Sequence, residues 1–125
     1  MDNCIFCNYN KSEIIAENRF AFAVLDKFPV NEGHALIIPK RHFESFFDAN
    51  EEEIKAIYSL MHEVREMLDI QYEPAGYNVG INIGEAAGQT IMHLHVHLIP
   101  RYKGDVENTR GGIRKFKYNL VLYDG

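Results

Sequence analysis

The sequence predicts an α+β fold: an antiparallel β-meander sheet carrying one long helix and a short helix, in a single domain spanning residues 1–125. Three observations predict it. Apolar runs rich in strand formers flank one long stretch of helical periodicity, in the order two strands, helix, two strands. No strand–helix–strand unit repeats, which argues against a doubly wound parallel sheet. The length leaves room for one hydrophobic core.

The first strand is Arg19 to Leu25, ended by Asp26 and Pro29. The second is Gly33 to Pro39, and the turn formers from Asp26 to Glu32 between them suit an antiparallel hairpin. Residues 51–70 form the helix, with Ile54, Ile57, Tyr58, Met61, Val64 and Leu68 at steps of three and four. Asn50 is placed to cap it, and Glu51, Glu52 and Glu53 stand against the positive end of the helix dipole. Pro74-Ala75-Gly76 breaks the chain. Tyr77 to Ile83 then alternates as a strand, Gly84 to Gly88 turns, and Ile91 to Pro100 is a last strand. Asn119 to Tyr123 suits one more short strand.

Hydrophobic residues at 46% and charged residues at 25% exclude a disordered or collagen-like chain. No apolar run approaches the roughly 20 residues of a membrane span. Met1-Asp2-Asn3-Cys4 opens without a basic or apolar leader, so a cytoplasmic location is expected and no membrane partner. Net charge is −5, which speaks against a nucleic-acid coat and leaves room for a small anionic substrate in a locally positive pocket. The one basic stretch, Arg101 to Lys117, holds six basic residues against Asp105 and Glu107; its plainest reading is solvated surface.

The most informative segment is His93-Leu94-His95-Val96-His97-Leu98-Ile99. On a strand the three histidines share one face, neighbours roughly 6.5–7 Å apart, while Leu94, Val96 and Leu98 face the core. Burying three imidazoles without purpose is costly. Two chemistries fit the row. One is a transition-metal site, for which imidazole is a common ligand. The other is nucleophilic catalysis at phosphorus, in which a neutral ring attacks and splits one hard displacement into two easier ones. Spacing leaves both open. Cys4 and Cys7 form a C-x-x-C that reads as a metal half-site or a redox pair.

His93 to Ile99 matches the His-φ-His-φ-His-φ-φ signature, and the chain resembles the histidine triad (HIT) superfamily of nucleotide hydrolases and transferases. Gly88-Gln89-Thr90, Gly33-His34-Ala35-Leu36-Ile37-Ile38-Pro39-Lys40 and Cys4-Ile5-Phe6-Cys7 resemble its other landmarks in the right order, over roughly residues 4–101. Pro100-Arg101 and Arg110-Gly111-Gly112-Ile113-Arg114 resemble bacterial and archaeal members described as diadenosine polyphosphate hydrolase-like.

The resemblance implies a HIT-like fold and a set of roles. His95 is the implied nucleophile on the α-phosphorus of a nucleotide, and His97 contacts phosphate oxygens. His34 orients the nucleophile, through its backbone carbonyl. Thr90 offers hydroxyl and amide to phosphate, Gln89 an amide nearby, and Asn82 a donor to a phosphate or bridging oxygen. Asp26 accepts from ribose hydroxyls, and Phe6 and Leu36 form an apolar slot for the base. Cys4, Cys7, His42 and His93 are the implied ligands of a structural Zn²⁺. A homodimer is implied as well, with the basic C-terminal stretch near polyphosphate in the same subunit or its partner. No carboxylate adjoins the triad in sequence, so no catalytic metal is expected. The implied activity is nucleotide phosphohydrolysis through a nucleotidyl-His95 intermediate; a phosphoramidase or nucleotidyltransferase would use the same site. A non-catalytic nucleotide- or zinc-binding module is the alternative of another class.

Overall fold

The computed structural model describes residues 3–116; the strand expected at Asn119 to Tyr123 and the last basic residue, Lys117, lie outside the described residues. Five strands form one antiparallel sheet: β1 (Ile14–Glu17), β2 (Ala21–Leu25), β3 (Ala35–Pro39), β4 (Gly76–Gly80) and β5 (Val96–Arg101), in the order β1-β2-β3-β5-β4. The meander therefore runs only through β3. Because β3 and β4 both run antiparallel to β5, they are parallel to each other, and parallel strands need a long crossover. The helix α1 (Glu51–Tyr72) supplies it, and β5 inserts between the strands it joins. β1 has no counterpart in the sequence reading: it is a short edge strand with no buried residue and a register irregularity between Ile14 and Ala16, so it lacks a clear alternation.

α1 begins at a capping box. The Asn50 side chain accepts from the Glu53 amide at 2.8 Å, and Glu53 Oε1 accepts from the Asn50 amide at 3.0 Å. Glu53 is buried and also holds Arg41, through Nε at 2.9 Å and Nη2 at 2.8 Å. The Arg41 guanidinium keeps the Glu53 carboxyl below the usual carboxylate range. The helix ends at Glu73 in the left-handed region, before Pro74.

Ile57, Leu60, Val64 and Leu68 of α1 pack on the sheet face built from Ala21, Ala23, Ala35, Ile37, Val96 and Leu98. The alanines on that face let the helix lie close. Tyr58, placed on the apolar stripe by its spacing, is instead 65% exposed. The opposite sheet face carries a smaller core of Phe6, Phe22, Val24, Leu36 and Ile38, and it is on this face that the histidines stand. Among the described residues the expected short helix takes the form of single 3-10 turns, such as Phe46–Asp48 and Gly112–Arg114, and no helix is long and apolar enough to cross a membrane.

Candidate active site

The triad does not lie on one strand. Only His97 belongs to β5, where it pairs with Leu36 of β3 and Gly80 of β4; His93 and His95 lie in the extended approach to it. The alternation survives there. Leu94 is fully buried and its amide donates to the Phe43 carbonyl at 2.7 Å, which turns the rings of His93 and His95 to the opposite face.

The His95 ring lies edge-on to Phe6, with centroids 5.1 Å apart, and against His97 at 5.2 Å. Its Nδ1 donates to the His93 carbonyl at 2.8 Å. In the neutral ring this leaves the lone pair on Nε2. The orienting carbonyl is thus not that of His34, which instead accepts from the Asp26 amide at 2.8 Å. The reason is position: His34 immediately precedes β3, and its ring lies beside His97 rather than His95.

The His34 ring is buried. Its Nδ1 accepts from the Val30 amide at 3.0 Å, and its Nε2 lies 3.0 Å from His97 Nδ1 and 3.4 Å from Asp26 Oδ2. Tertiary structure therefore brings a carboxylate to the edge of the triad, although none adjoins it in sequence. Asp26 Oδ1 accepts from the Phe28 amide at 2.9 Å, an Asx-type turn. Burial pushes the His97 ring down to about 4; its neighbours His95 and His34 push the same way, and Asp26 opposes them. Burial also lowers His34, against the pull of Asp26. In both rings burial favours the neutral form.

Behind Phe6 lies a second cluster. His93 Nδ1 stands 3.3 Å from Cys4 Sγ, 3.6 Å from Cys7 Sγ and 3.1 Å from His42 Nδ1, and Cys7 Sγ is 3.4 Å from His42 Nδ1. All four ligand-type atoms lie within 4.8 Å of one another. A tetrahedral zinc with ordinary N and S bond lengths has ligand edges of roughly 3.3–3.8 Å, so this donor set fits one. His93 Nε2 donates to the buried Pro39 carbonyl at 2.8 Å, which fixes the tautomer that leaves Nδ1 free to coordinate.

The remaining expected residues divide. Asn82 lines a cleft of about 230 Å³ with Val30, His34, Asn78 and His97. Thr90 is exposed and lines a different cleft, of about 460 Å³, beside Cys4 and His42. Gln89 is buried, and its amide ties the loop: Oε1 accepts from Gly84, and Nε2 donates to the Glu44 and Ile91 carbonyls. Phe6 and Leu36 are 4% and 6% exposed; the Phe6 ring lies against His93 and His95 and also lines a cleft of about 310 Å³ with Cys7, Tyr9 and Phe22. Arg101, of the basic stretch, is committed to Asp105 by two contacts of 2.8 Å and to Asn78 at 2.6 Å. That pairing holds Asp105 well below the usual carboxylate range. The groups that sequence reasoning missed are mostly backbone: the Val30 amide and the His93 and Pro39 carbonyls carry no residue-type signal. Arg41 and Glu53 are twelve positions apart and had only the capping pattern as a clue.

A HIT domain profile matches residues 8–104. The chain belongs to the HIT family. A 16.1 kDa HIT-like protein of Mycoplasma pneumoniae is 40% identical over 106 residues, covering 82% of this chain and 74% of that protein. An adenosine 5'-monophosphoramidase of Schizosaccharomyces pombe is 36% identical over 79% of this chain and 74% of its own length. An AP-4-A phosphorylase of Mycobacterium tuberculosis is 32% identical over 74% of this chain, but over only 48% of the enzyme. Among solved HIT structures, a HIT family protein from Bacillus anthracis superposes with a TM-score of 0.77 at 37% identity, covering 83% of this chain and 77% of that one. A Zn-bound histidine triad family protein from Mycobacterium smegmatis gives 0.74 at 30% identity, covering 83% and 78%.

Proposed function

We propose that this HIT protein is a single-domain nucleotide phosphohydrolase that cleaves at the α-phosphate of a (di)nucleoside polyphosphate or related nucleotide conjugate through a nucleotidyl-His95 intermediate. The single observation that carries the proposal is the 2.8 Å hydrogen bond from His95 Nδ1 to the His93 carbonyl, which leaves the Nε2 lone pair for attack. His95 Nε2 forms a bond to the α-phosphorus while the bond from phosphorus to the leaving oxygen or nitrogen breaks. Water then attacks the phosphorus and releases His95. His97, neutral at pH 7, donates a hydrogen bond to a phosphoryl oxygen as charge develops. Asn82 lies on the same cleft, and Asp26 serves the ribose hydroxyls with the oxygen that faces His34.

Cys4, Cys7, His42 and His93 hold a structural zinc on this reading, supported by the convergent donor atoms and by the zinc-bound relative. When bound, it ties the N-terminal segment to His93. The AP-4-A phosphorylase and phosphoramidase relatives support a phosphoanhydride or a phosphoramidate bond as the target, and a phosphate or alcohol acceptor in place of water makes the same site a nucleotidyltransferase. We also propose a homodimer formed along β4, one of the two edge strands, where Tyr77 and Val79 share an apolar cleft with Tyr58 and Met61 of α1.

The test is mass spectrometry of the protein quenched during turnover of a diadenosine polyphosphate and, in parallel, of an adenosine phosphoramidate. A nucleotidyl adduct on His95 is expected, and its absence from a turning-over enzyme overturns the mechanism. Turnover that persists in His95→Ala does the same. The ratio of the two turnover rates identifies the preferred leaving group.

A further inference from the structure

We propose that the backbone amide of Val30 is a positioning group that, acting through His34, holds His97 in the tautomer presenting Nε2–H to the substrate. The functional meaning rests on the reading of His97 as a phosphate-facing residue; the tautomer itself does not. A backbone N–H only donates, so the 3.0 Å contact from Val30 requires a lone pair on His34 Nδ1. Neutral His34 then carries its proton on Nε2. That atom lies 3.0 Å from His97 Nδ1, which must therefore accept, and neutral His97 carries its own hydrogen on Nε2. Asp26 reinforces the choice. Its Oδ1 is taken by the Phe28 amide, and Oδ2 faces the same His34 proton at 3.4 Å. His34 is 3% exposed, so solvent offers little alternative partner to its ring.

The same logic separates two clusters that look alike by composition. Asp26, His34 and His97 place three ligand-type atoms within 4.8 Å of one another, as do Cys4, Cys7, His42 and His93. A coordinating ring nitrogen must offer a lone pair. His93 meets this condition because its far nitrogen donates to the Pro39 carbonyl. His34 does not, because its far nitrogen accepts from Val30 and the proton is left facing the cluster. The first set is a hydrogen-bond chain and the second is a donor set for a metal, and the backbone group behind each ring makes the difference.

The test reads tautomers by ¹⁵N NMR of histidine-labelled full-length protein at neutral pH, without substrate. Pyridine-type Nδ1 and pyrrole-type Nε2 are expected on both His34 and His97. Val30→Pro removes the amide hydrogen and is expected to move the ring nitrogens of both residues toward a tautomer average. It is also expected to lower kcat several-fold while KM stays within about twofold. Because proline can disturb the loop, His34→Gln and His34→Leu form a second pair: Gln keeps an N–H donor toward His97 Nδ1 and Leu removes it. His97 is expected to keep its tautomer in the first and lose it in the second. Pyrrole-type Nδ1 on His97 in the wild type overturns the proposal, as do His97 shifts unchanged across wild type, His34→Gln and His34→Leu. The expected tautomers in a protein that never forms a His95 adduct would sink the catalytic reading and leave the hydrogen-bond chain standing.

Discussion

His93 and His95 are joined by a single hydrogen bond that links the two halves of the site. The His93 carbonyl accepts from His95 Nδ1 at 2.8 Å, while the His93 ring faces Cys4, Cys7 and His42. Whatever fixes the His93 ring thus also fixes the group that aims His95.

Metal content and turnover should therefore fall together. Cys7→Ser is expected to bring zinc from about one equivalent per chain to well below that, and to lower kcat about 10-fold with a smaller effect on KM. Metal analysis of protein purified without chelator, paired with steady-state kinetics, checks this. Full zinc content in Cys7→Ser, or zinc loss without loss of kcat, counts against the link.

Stability should weaken on mild acidification. The His97 ring is lowered by burial from its ordinary 6.5 to about 4, so the unfolded chain takes up that proton before the folded one does. Stability from this source is complete above about pH 6.5 and drains away as the pH falls from there toward about 4. His34 is shifted in the same direction. Urea unfolding at about pH 7.5 and about pH 5 should show a smaller loss in His97→Asn than in the wild type. Equal losses would remove His97 from the account.

Glu53→Gln should destabilise the fold by about 1–3 kcal/mol, because it breaks the charge-assisted pair with Arg41 at a buried position and weakens the cap of α1. Denaturant unfolding checks the value. A change below a few tenths of a kcal/mol would show the pair to be incidental.

Gly33→Ala should cost a comparable amount and disturb His34 next to it. Gly33 has φ of +86°, and a Cβ there would stand 3.0 Å from Tyr72 Cδ2 and 3.2 Å from Leu68 Cδ2 and Pro100 Cγ. The expected loss is about 1–3 kcal/mol, read by thermal or urea unfolding. Wild-type stability in this variant would mean that α1 yields at no cost.

Much of this was legible along the chain. The helix, expected at 51–70 and found at Glu51–Tyr72, the strands around β2, β3 and β5, and the opposed faces of His95 and Leu94 all follow from periodicities that a local stretch of sequence displays by itself. So does the presence of a histidine row and a cysteine pair, and the family resemblance assigned them roles. Tertiary structure decided what each ring faces. It turned the His93 ring toward Cys4 and Cys7, almost ninety positions away, gave His95 the carbonyl of His93 rather than that of His34, and delivered Asp26 to His34. It also spent Gln89 on the loop and Arg101 on Asp105. The physical reason is that periodicity records which side of an element a residue occupies, whereas a histidine's proton is placed by the single group that meets its far nitrogen. Here that group is a backbone amide or carbonyl, which every residue carries and no sequence pattern marks.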